Sequence, residues 1–231
     1  MPRGPKVRPR GLNSAIAVLF MIGSACFAIG AVPAYAAAVG AAVDASTFFI
    51  GSIFFTSASF CQLMQAQNPA LAPGAAEKGE AAIVFWAPAP ADRGWQSAAV
   101  QFPGTLAFNV STAFATVTSL TLHQTDRLVW APDFVGSILF LVASALGIAA
   151  VSARIFEWRA HDLPWRIAWI NMIGSAFFML SAIGSVVLPT TGAVADARWA
   201  NAGTFAGALC FFLGAALLLA AWRYAETQPR V

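Results

Sequence analysis

The chain has 231 residues, 59% of them hydrophobic and only 10% charged, with a mean hydropathy of +0.71. Soluble domains carry about 25% charged residues, so a single core surrounded by water is excluded and lipid must be part of the solvent. The net charge of +3 comes with no basic stripe and no aromatic-basic reader motif, which argues against a nucleic-acid partner.

Windows free of Asp, Glu, Lys and Arg run 11–43, 45–76, 94–125, 134–153, 167–195 and 199–222. Each holds the ~20 apolar residues that cross a bilayer as a helix, and the alternating polarity of a membrane barrel is absent. The pattern predicts helices at 13–36, 45–66, 99–122, 132–153, 165–188 and 200–222. The expected fold is therefore all-α: one integral membrane bundle of six transmembrane helices across 1–231.

At the N-terminus, Arg3, Lys6, Arg8 and Arg10 precede an apolar run that ends near Ala34-Tyr35-Ala36. That layout also describes a cleavable signal peptide. The run from Leu12 to Tyr35 is long for such a segment and carries its own copy of the repeat described below, which favours a retained helix. The longest connection, about 67–98, is rich in Ala, Pro and Gly, and its apolar stretch Ala81–Trp86 is too short to span. An interfacial or loop-packed segment is expected there, with a re-entrant segment as the alternative. Pro132 and Pro164 suit first helical turns, Pro189 is placed as a stop, and Pro103 allows a mild kink.

With the N-terminus in the cytoplasm, 11 of the 13 Lys and Arg residues fall inside, including Lys78, Arg93, Arg154, Arg159, Arg166, Arg223 and Arg230. Only Arg127 and Arg198 fall outside. This is the positive-inside bias, and omitting the third helix would spoil it. It places the protein in the cell membrane as a multi-pass protein with both termini cytoplasmic. Trp130 and Trp199 are expected at the outer interface, and Trp165, Trp169 and Trp222 at the inner one.

Each predicted helix carries one five-residue word: Gly, a small residue, two variable positions, then Phe. The copies are GSACF from Gly23, GSIFF from Gly51, GTLAF from Gly104, GSILF from Gly136, GSAFF from Gly174 and GALCF from Gly207. Residues four apart share a helix face. The glycine admits a neighbouring backbone and the phenyl fills the space one turn on. Lipid tails offer no hydrophobic contrast, so close packing must hold membrane helices together. Small residues continue the seam seven positions after each glycine: Gly30, Ala58, Ser111, Ala143, Ser181 and Gly214. The Gly-to-Gly spacings of 28, 53, 32, 38 and 33 suit either three repeated hairpins or a 3+3 inverted repeat.

Three copies carry a polar residue three positions before the glycine: Gln101, Asp133 and Asn171. Thr204 takes this place in the last copy, with Asn201 one turn earlier. As caps, these side chains would satisfy free N–H groups at helix starts. As lining, Gln101 and Asn171 would form an inner polar ring, with Asp133 and Thr204 forming an outer one. Asn109 is the most deeply placed amide and suits either interhelical bonding or function. No charged residue sits at a predicted helix centre. His123 and His161 fall in loops on opposite sides, and Cys26, Cys61 and Cys210 lie in apolar stretches without metal-ligand spacing. No HExxH, G-x-S-x-G, Walker-type or dinucleotide motif is present.

The segments Gly104–Asn109, Pro132–Ser137, Asn171–Ser175 and Asn201–Thr204 running into Gly207 resemble an uncharacterised family of bacterial multi-pass membrane proteins. The paired-helix G-S-x-x-F pattern is also loosely similar to the YrhK-type membrane domain. The first resemblance covers most of the chain and the second covers single hairpins; neither implies an activity or a set of functional residues.

These features point to a non-enzymatic membrane protein without a cofactor, acting as a scaffold, sensor or lipid-associated component. Its expected partners are the bilayer and either another protein or a further copy of itself. The alternative is a small-solute transporter or channel lined by Gln101, Asn109, Asp133 and Asn171.

Overall fold

A computed structural model describes residues 4–72, 79–152, 158–188 and 190–227, with the backbone alone for 223–227. Arg3, Pro189, Lys78, Arg154 and Arg230, to which the sequence assigns roles, lie outside the described residues, and so does the side chain of Arg223. The protein is helical: α1 (Pro9–Gly30), α2 (Pro33–Val39), α3 (Ala41–Ala66), α4 (Arg93–Ala115), α5 (Leu122–Thr125), α6 (Ala131–Val151), α7 (Leu163–Gly184) and α8 (Ala197–Thr227). Among the described residues, five segments are long and apolar enough to cross a membrane: α1, α3, the continuous stretch Leu122–Val151, α7 and the Ala197–Trp222 part of α8. They make this a helical membrane protein. The helix expected at 99–122 forms as α4, which is too polar to stand beside those five on composition.

Several boundaries move for local reasons. Pro33 holds Val32 extended, so α1 ends at Gly30 and a short α2 restarts behind it. Gly40, at φ +84°, turns the chain directly into α3; a left-handed φ suits glycine alone. A hydrogen bond of 2.8 Å between Tyr35 and Thr47 closes that corner. Asp92 starts α4 by accepting the Trp95 N–H at 2.7 Å. The helix stops at the run Thr116-Val117-Thr118, where the Thr116 hydroxyl bonds back to Ala113. Thr121 and Gln124 then form a capping box. From there α5 runs through one π-helical turn (Asp126–Trp130) into α6 without a break. Beyond α7, a tight connection pairs Val187 with Val194, so that helix stops at Gly184 rather than 188.

The helices form a closed ring. α1 packs on α3 and α8, α4 on α3 and α6, and α7 on α6 and α8. Inside the three tightest pairs the repeated word interlocks reciprocally. A Cβ on Gly23 would lie 2.6 Å from the Phe55 ring, and one on Gly51 would lie 2.9 Å from Phe27. Gly104 and Gly136 stand in the same relation to Phe140 and Phe108, and Gly174 and Gly207 to Phe211 and Phe178. The residue after each glycine, Ser24, Ser52, Thr105, Ser137, Ser175 or Ala208, is 0% exposed. Phe27, Phe55, Phe108, Phe140, Phe178 and Phe211 meet in one core cluster. Phe140 touches four of the others, at ring-centroid distances of 5.1–6.4 Å, and Phe178 also touches four. Such pairs contribute roughly 0.5–1.5 kcal/mol each beyond area burial.

The outer surface of the ring is apolar, with Ile22, Ile53, Leu106, Val110, Val135, Ile173 and Leu213 exposed. Not every interface tryptophan faces outward. Trp165 and Trp222 are buried, which corrects the belt expectation for them, and Trp165 packs against Trp158 and Trp169. Trp199 is exposed.

The long connection is loop-packed. Residues Lys6–Val7 (β1) pair antiparallel with Ala81–Ala82 (β2). Met64, Leu71 and Ile83 form a small second core beneath them. Gln67 donates to the carbonyls of Val84 and Phe85, and Asn68 exchanges two hydrogen bonds with Val84.

Gly174→Ala should destabilise the protein by about 1–3 kcal/mol, because its Cβ would sit 2.9 Å from Cys210 Cβ. Gly147→Ala should be nearly neutral, since the closest atom there lies 3.5 Å away. Melting temperatures in one detergent compare the two; equal values would refute the close-packing role of the seam.

Candidate functional site

The four polar residues before the repeated word are not helix caps. Asp92 caps α4, so Gln101 lies about two turns inside it. Asn171 is equally deep in α7, and Asp133 follows helical residues that begin at Leu122. A side chain that far into a helix has no free N–H of its own backbone to satisfy. All four point instead into two cavities, one at each end of the phenyl cluster, called inner and outer after the orientation expected from the sequence.

The inner cavity measures about 580 Å³ and is lined by Gln62, Ser97, Gln101, Ser144 and Asn171, with Asp162 at its rim. A narrow extension of about 60 Å³ continues from the same amides to Phe20 and Phe211. Gln62 and Gln101 approach to 3.5 Å, a weak contact. The Asn171 amide has no hydrogen-bond partner among the described residues. Gly214 on α8 makes room for it, because a Cβ there would collide with Asn171 Oδ1. The two serines have already committed their protons. Ser97 donates to Ala143 at 2.8 Å, and Ser144 pairs with Ser175 at 2.8 Å.

The outer cavity measures about 340 Å³. Asp133, Thr204, Asn201, Ser111, Thr112 and Ser181 line it, together with Phe27, Phe48 and Trp130. Most of its hydroxyls are bound into the helices around it, that of Ser111 excepted. Ser181 and Thr204 lie 2.7 Å apart and share the Ala200 carbonyl, while Thr112 donates to Phe108 at 2.7 Å. The Trp130 indole N–H is spent on Ala182 at 2.8 Å.

Of the residues singled out in the sequence, Gln101 and Asn171 therefore meet in one cavity, with Asp133 and Thr204 in the other. Asn109 lines neither; its Oδ1 is buried without a partner. In the first helix pair the matching positions are Phe20 and Phe48, so each polar ring is closed on one side by an aromatic. Gln62 was missed, although it lies eleven residues after Gly51, one turn beyond the seam residue Ala58. Ser97 and Ser144 carried no distinguishing signal.

Among the described residues, no group of three or more His, Cys, Asp or Glu side chains could hold a metal ion. No family model, curated protein or solved structure matches the chain.

The cavities and the phenyl cluster can be mapped with single cysteines in a variant lacking Cys26, Cys61 and Cys210. Cysteines replacing Asn171 and Thr204 should react with a small membrane-impermeant thiol reagent, each from the opposite membrane face. One replacing Phe140 should react from neither. Labelling of both vestibule positions from one face would refute their separation.

Proposed function

We propose that this protein is a small-solute transporter or channel of six membrane-spanning helices, with both termini in the cytoplasm. The observation that carries this is the pair of cavities, each holding polar side chains, at opposite ends of one aromatic plug. The inner one ends at Phe211 and the outer one at Phe27. Their sizes fall within or near the ~300–1,000 Å³ typical of small-molecule sites. The close-packing role of the glycines accounts for the seams and for the plug. It does not account for open amides such as Asn171, because polar groups inside a membrane bundle are costly unless bonded.

In this reading α4 is the sixth span. Its outward residues Leu106, Val110 and Phe114 are exposed and apolar, while its buried residues include Thr105, Ser111 and Thr112. Its low apolarity is then that of a helix turned towards a polar interior. The three reciprocal helix pairs favour a threefold hairpin repeat over an inverted 3+3 arrangement. Helix α1 closes the ring between α3 and α8, which favours its retention. Solute passage would require the six rings to part, so the closed plug is a resting state.

Liposome flux tests this. The purified protein should accelerate entry of small polar solutes, and Gln101→Leu should reduce that entry at equal incorporation. Phe140→Ala should raise the basal leak, since it removes a ring that touches four others. Rates equal to those of protein-free liposomes for all three proteins would overturn the proposal. Cysteines replacing Ala91 and Ser119, exposed residues just beyond the two ends of α4, should label from opposite faces; labelling from the same face would mean that α4 does not span.

A further inference from the structure

The two cavities differ in what they offer a ligand. In the outer one Thr112, Ser181, Thr204 and Thr125 bond to backbone carbonyls or to one another, and the Trp130 indole bonds to Ala182, while the Asn201 amide and the Ser111 hydroxyl have no partner among the described residues. The hydroxyl lone pairs remain. Asp133 adds a carboxylate that has no hydrogen-bond or ion-pair partner among the described residues. No Lys, Arg or His lines the cavity. An unpaired carboxylate in a membrane bundle is costly and is relieved either by taking up a proton or by a positive partner. Phe27, Phe48 and Trp130 supply an aromatic side to the same cavity, and aromatic faces attract cations.

We infer that the outer cavity binds a small organic ammonium ion, with the N–H groups on Asp133 and the hydroxyl oxygens and its carbon chain against Phe48 and Trp130. The size of the cavity and its aromatic side favour this occupant over a bare alkali ion. About 340 Å³ is far more space than one such ion fills, and aromatic rings cannot replace a hydration shell. The amides of the inner cavity, Gln62, Gln101 and Asn171, could accept the same N–H donors. The inference thus deepens the transport reading by naming a substrate class, while the binding site itself does not depend on transport.

The probe is n-butylammonium, titrated calorimetrically into the full-length protein in nanodiscs, with 1-butanol, butyrate and potassium as comparisons. Saturable binding of butylammonium is expected, with none of butanol or butyrate. Asp133→Asn should weaken it by roughly thirtyfold or more, the scale of removing one charge from a desolvated pair. Asp126→Asn changes the same charge on an exposed residue outside the cavity and should leave binding unaltered. Melting curves of both variants establish that each is folded. Absence of butylammonium binding, equal binding by Asp133→Asn, or Asp133-dependent binding of potassium alone would each overturn the inference. Asp133-dependent binding without butylammonium flux in liposomes would uphold the site and refute the transport reading.

Discussion

Everything in this structure depends on how closely two antiparallel helices can approach without hydrophobic force from the solvent. In lipid, association rests on contact area and on satisfied polar groups. The glycine of one helix receives the phenyl ring of its partner, and the partner returns the arrangement. Each pair is thereby fixed in register as well as distance, since a slip of one residue would place a Cβ where a ring must go. The fully buried residue beside each glycine marks how little tolerance remains.

That register has a consequence at the centre of the ring. Because each word puts its phenyl inward, three interlocked pairs bring six rings together. They fill the axis of the bundle and leave its two ends comparatively open. Positions one turn outside the word then face the ends. In the second and third pairs they are Gln101, Asp133, Asn171 and Thr204, and in the first pair Phe20 and Phe48. A packing device and a polar interior are thus products of one arrangement, and the first pair shows that the polar residues are dispensable for the packing itself.

The two cavities are chemically unequal. The inner one carries amides, which both donate and accept, and the Asn171 amide is open. The outer one carries a carboxylate and the Asn201 amide among hydroxyls, of which those of Ser181, Thr204 and Thr112 donate to helix carbonyls. Residues that bond back to their own helix lose donors but keep lone pairs, so the same serines and threonines that steady α4, α7 and α8 also set the polarity of that cavity.

The sequence alone determined the membrane class, the helical fold and the repeated word, because hydropathy and residue spacing are local and a helix translates spacing directly into a face. The same spacing put Gln101 and Asn171 on one side and Asp133 and Thr204 on the other. Only the tertiary structure decided what those residues do. Their capping role was a matter of where each helix begins, and Asp92 and Thr121 begin them earlier than apolarity indicates. The break at Pro33, the burial of Trp165 and Trp222, and the entry of Gln62 beside Gln101 all depend on neighbours distant in sequence. Hydropathy cannot distinguish a polar side chain turned to a cavity from one turned to a helix end. That difference lies in the closure of the ring, which joins α1 to α8 across nearly the whole chain.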